Sequence, residues 1–141
     1  MSDMIVRPFK TDRNRTPQEM LNATGRVQYT DKSVVKGMPR GEGEEGEVVF
    51  FKLDRYLLDD DIEKEFELRG LKPADPYSLA AVNEADPAFA DTHPNGTHWK
   101  DAEGNWCFVT FNRWDDEREV NVDRSEGEGV SGAWFAGLRR N

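Results

Sequence analysis

A single cysteine among 141 residues cannot close an internal disulfide, so the chain carries no signature of an oxidising compartment. No apolar run approaches the ~18–20 residues that a membrane-spanning helix needs. The start of the chain, Met1 to Arg7, lacks the apolar stretch of a secretory signal. The expected location is therefore the cytoplasm, with no membrane as partner. Without a secretion signal the two glycosylation-like triplets, at Asn22 and Asn95, are read as chance. No repeat of fixed period is visible, and the length is that of one domain, residues 1–141. What is present is bulk: eight Phe and four Trp give a core to a chain that is 36% apolar and 33% charged.

The formal net charge of −9 is unevenly distributed. Residues 1–40 carry eight basic side chains against four acidic ones, whereas residues 59–91 carry ten acidic against three basic. Such a layout can steer a partner of opposite sign. Arg7, Lys10, Arg13 and Arg15 form a basic arm, but the acidic whole lacks the footprint of a nucleic-acid binder. Nucleic acid is not expected as a partner.

The chain centres on Asn95 to Trp114, which holds three of the four tryptophans and the cysteine. Trp106 to Arg113 reads as a strand with Cys107, Val109 and Phe111 on a core-facing side. Trp106, Phe108, Thr110, Asn112 and Trp114 share the other side, where apolar and polar groups alternate as on a half-covered or ligand-facing surface. Upstream, Thr16-Pro17 with Glu19 forms a capping box and Gly25 suits the end of that helix. Ile5 to Phe9, with Pro8, fits only an edge strand. Gly37 to Gly46 is glycine- and glutamate-rich and reads as a mobile loop, while Glu47 to Leu53 reads as an internal strand. A second helix should start near Asp59 or Asp60, with Glu63 at capping-box spacing and Gly70 closing it. Asp75-Pro76 and Asp86-Pro87 each pair a cap with a first-turn proline. One-sided and aromatic strands at Glu119–Arg124 and Ala133–Leu138 complete the pattern. The expected fold class is α+β: an antiparallel β-meander in the C-terminal half with two to three short helices packed on one face.

Four sets of residues could carry function. Trp114, Asn112 and Thr110, together with Asp59, Asp60 and Asp61, suit a binding surface, although helix-start acids also complement a helix dipole. Asp91, His93 and His98 have the donor types of a zinc site, without the spacing of a closed structural one. Cys107 with His98 has the types of a nucleophile and base, but a mid-strand apolar setting favours an inert thiol. The Glu126/Glu128 pair beside Arg124 and Ser125 has residue types used by ADP-ribosyl-transferring toxins, crowded into one five-residue stretch rather than separate elements. The expectation is a non-enzymatic acidic module that binds another protein, with no cofactor, such as an inhibitor of a basic enzyme or nucleic-acid-binding protein. The alternative is a small hydrolase, transferase or metal protein built on Asp91, His93 and His98.

Overall fold

A computed structural model describes residues 4–53, 57–125 and 133–140. The elements run β1 (Ile5–Lys10), α1 (Pro17–Ala23), β2 (Val27–Thr30), α2 (Lys32–Lys36), β3 (Glu45–Lys52), α3 (Asp59–Leu68) and β4 (Leu71–Pro73). They continue with α4 (Pro76–Ala85), α5 (Phe89–Thr92), β5 (Asn95–Lys100), β6 (Trp106–Trp114), β7 (Glu117–Arg124) and β8 (Trp134–Arg139). The fold is α+β, and one sheet takes in all eight strands among the described residues. Its order is β1-β3-β8-β5-β6-β7-β2, with β4 also paired to β8.

Local chemistry sets several of these elements. Thr16 caps α1, accepting from the Glu19 backbone N–H while the Glu19 carboxylate accepts from the Thr16 N–H. Gly25 follows that helix at φ 70°, a conformation that costs a side chain with a Cβ. Asp75 caps α4 in the same way and Pro76 opens it. Pro8 lies in β1, which among the described residues pairs only with β3. β3 lies inside the sheet and buries Val48 and Phe50 on one face and Val49 and Phe51 on the other.

β5, β6 and β7 pair antiparallel in succession, but the sheet as a whole is mixed and β8 does not continue that run as the sequence suggested. β2 runs parallel to β7, and β8 runs parallel to β5 after crossing back to sit between β3 and β5. Among the described residues the helices number five rather than two or three, and they occupy both faces. α1, α2, α4 and α5 contribute to a core that includes Val109, Phe111, Val120 and Val122. α3 lies on the opposite face, where Ile62 and Phe66 pack with Val49, Phe51, Leu71 and Phe135. The physical reason is β3: a strand apolar on both sides needs cover on both.

That second layer stops short. Its buried residues come from β3, β4, β8, α3 and Leu53, and none comes from β6, β7 or β2. Among the described residues, half of that sheet face therefore has no helical layer.

Candidate functional site

The sequence places Asp59, Asp60, Asp61 and Glu63 on the first turns of α3, and each is used differently. Asp61 makes a surface ion pair with Lys64 at 3.5 Å. Asp60 accepts from the indole Nε1 of Trp106 at 3.2 Å. Asp59 is buried, with Oδ1 at 2.7 Å from His98 Nδ1 and Oδ2 accepting from Ser125 Oγ at 2.6 Å. Glu63 does not act as a cap, as its spacing suggested. The N-cap is Leu58, with no side-chain bond, and Glu63 Oε2 instead lies 3.0 Å from His98 Nε2.

His98 thus stands between two carboxylates. It is 3% exposed, and its ring stacks on Trp106 at 4.2 Å between centroids and 22° between planes. Burial pulls its pKa down, but the hydrogen bonds to Asp59 and Glu63 and their charges outweigh that, leaving it above the ordinary histidine value. For Asp59 burial pushes upward and is likewise outweighed, by the bonds from His98 and Ser125, so its pKa is lowered. Each ring nitrogen faces a carboxylate oxygen, the geometry of an imidazolium held by two carboxylates. The arrangement can hold a proton and fix the Glu63 side chain, whose carboxylate is 37% exposed.

Beside this trio is a cleft of about 680 Å³ lined in part by Asp60, Glu63, His98, Trp99, Lys100 and Trp106. Its far wall is the segment Pro39, Gly41 and Glu42. The Arg13 guanidinium donates to the backbone carbonyls of Arg40, Glu42 and Gly43, tying that glycine-rich segment to the fold. Arg13 also pairs with Asp75 at 2.8 Å and donates to Ser78 Oγ. Gly41, at φ 71°, abuts the Asp75 carboxylate so closely that a Cβ would overlap it.

The open half of the sheet face forms the second feature. Cross-strand pairs Trp114–Glu117, Asn112–Glu119, Thr110–Asn121 and Phe108–Asp123 share one side, joined by Val27 and Tyr29 of β2. Trp114 is 69% exposed, Tyr29 50% and Val27 45%. Asn121 Nδ2 donates to Asn112 Oδ1, and the Tyr29 hydroxyl donates to Glu117. The residues of β6, β7 and β2 on this side include three carboxylates and no lysine or arginine.

The structure does not bring Asp91, His93 and His98 together. Asp91 takes a two-toothed pair from Arg118, at 3.0 and 2.8 Å, which lowers its pKa, and it also approaches Arg113. The His93 ring lies 5.1 Å from Phe89 and 5.2 Å from Trp134. Among the described residues no group of three or more His, Cys, Asp or Glu is arranged to hold a metal ion. Cys107 is 1% exposed on the core side, and burial raises its pKa, as suits an inert thiol. Glu126 and Glu128 lie outside the described residues. The cations of the N-terminal arm are engaged within the fold: Lys10 with Glu45, Arg15 with Glu84 and Arg7 over the Phe89 ring.

Reading along the chain missed the Asp59–His98–Glu63 cluster. The available signal was Asp59 and Glu63 at i, i+4, hence on one helix face, and a histidine in a strand patterned for burial. Comparison with protein-family models, curated proteins and solved structures finds no match for this chain. No helix among the described residues is long and apolar enough to cross a membrane.

Proposed function

We propose that this protein is an acidic binding module whose open sheet face receives a basic protein partner. The observation that carries the reading is Trp114, a large aromatic left 69% exposed at the end of a carboxylate-bearing, cation-free strand surface. Exposed aromatics serve as interface anchors, and Glu117, Glu119 and Asp123 around them favour a positively charged counterpart. Thr110 and Asn112 supply hydrogen-bonding groups between the anchors and fix the partner's register. A partner of this kind fits an inhibitor or adaptor role better than catalysis.

The test compares the parent with Trp114→Ala and with the double variant Glu117→Lys/Glu119→Lys. Proteins captured from host extract at about 50 mM salt should be lost from both variants. They should also be released as salt rises and the Debye length shortens to roughly 8 Å near 0.15 M. A decalysine peptide should bind the parent in preference to an oligoglutamate. Capture indifferent to these substitutions, or preference for the acidic peptide, overturns the reading.

A further inference from the structure

We infer that the cleft beside His98 is a binding site for an alkylammonium group, borne either by a small amine or by a lysine side chain of a partner. The lysine-borne form rests on the binding reading above; the small-amine form stands without it. A volume of about 680 Å³ is that of a small-ligand site.

The charges in this cleft are of two kinds, held and mobile. Glu63 is held, because Oε2 is engaged by the buried His98, and its other oxygen makes no hydrogen bond among the described residues. Asp60 is held by the Trp106 indole N–H. No lysine or arginine among the described residues lies within ion-pair distance of either carboxylate. Lys72, by contrast, is exposed and pairs with no carboxylate there, so it can extend into solvent. Against the His98 imidazolium stand the carboxylates of Asp59, Asp60 and Glu63, so the fixed charge around the cleft is net negative.

The chain itself places one ammonium here. Lys100 Nζ lies 5.1 Å from the centroid of the Trp106 ring, the cation–π arrangement that a bound amine would adopt. His98 stacks on the same indole and Asp60 fixes its edge, so the ring is oriented before any ligand arrives. Trp99, Pro73 and Leu138 offer apolar wall for an alkyl chain. The opposite wall is pinned by Arg13 through three carbonyls, which lowers the ordering cost of binding. Trp106 and Trp114 lie on one side of the same strand, roughly 27 Å apart at about 3.4 Å per residue. A partner anchored at Trp114 could thus deliver a lysine to the cleft.

The experiment titrates the full chain at pH 7 with n-butylamine, n-butyrate, n-butanol and Nα-acetyl-lysine amide, following tryptophan fluorescence. The two amines should give saturable changes with Kd in the millimolar range, and butyrate and butanol should not. Glu63→Gln and Asp60→Asn, checked for folding by circular dichroism, should each weaken amine binding about tenfold, or about 1.4 kcal/mol. Lys100→Met, which removes the resident ammonium, should tighten it. Trp114→Ala should leave amine binding unchanged. Saturation by butyrate, the absence of amine saturation, or weaker amine binding in Lys100→Met overturns the inference. If the amines fail while Trp114-dependent capture persists, only this inference falls. If acetyl-lysine amide binds but capture ignores Trp114, the partner reading falls instead.

Discussion

Arg13 and Asp75 are 62 residues apart in sequence and 2.8 Å apart in the structure, with side chains only 13% and 11% exposed. Asp75 caps α4 with the same carboxylate, so one acid both starts a helix and anchors the arginine that holds the cleft wall. Removing one partner of a shielded pair leaves the other charge uncompensated. Arg13→Ala should therefore cost about 3 kcal/mol in urea unfolding. Limited proteolysis within residues 37–46 should accelerate sharply in the variant. Arg13→Lys should recover less than half the loss, because one ammonium cannot reproduce the fork that reaches three carbonyls.

The His98 cluster makes stability depend on pH in a defined direction. The pKa of His98 is raised on folding, so its contribution is complete below the unfolded value near 6.5 and fades as pH rises through the folded value. The pKa of Asp59 is lowered, so its contribution is present above about 3.8 and fades as pH falls through the folded value. The melting temperature should be highest between these limits and decline above pH ~6.5. In His98→Gln that alkaline decline should flatten. An unchanged alkaline slope would assign it to other groups.

Two aromatics on opposite sides of β6 should respond oppositely to truncation. Phe111 is fully buried, and Phe111→Ala should cost about 3–5 kcal/mol. Trp114 is exposed, and Trp114→Ala should stay within about 0.5 kcal/mol of the parent. Thermal melts of both variants measure this, and a Trp114→Ala protein that unfolds would end the binding proposal for that residue.

Asn83 of α4 and Asn95 of β5 exchange amide hydrogen bonds at 2.9 and 3.2 Å while completely buried. Replacing Asn83 by Leu leaves the buried Asn95 Oδ1 without its donor, although Nδ2 keeps its bond to the His93 carbonyl, and should cost about 1–3 kcal/mol. A double-mutant cycle with Asn95→Ala should show coupling of about 1 kcal/mol or more. Simple additivity would show that the two amides act independently.

Local spacing sets what nearest neighbours along the chain can enforce. The Thr16 capping box, the Asp75-Pro76 start of α4, the edge position of β1 with Pro8 and the inward face of Cys107, Val109 and Phe111 all follow from spacings of a few residues. Local spacing also misled: Glu63 sat where a cap would, yet a buried imidazole binds a carboxylate more strongly than an exposed helix start does. The five-residue α2 left little periodic signal. Only the tertiary structure decided that β8 crosses back to lie between β3 and β5, and that α3 covers one half of a sheet face and leaves Trp114 open on the other. It alone brought His98 to Asp59 and Glu63 across 39 and 35 residues. Strand order and such pairings depend on which distant surfaces can be buried together, and no local period encodes that choice.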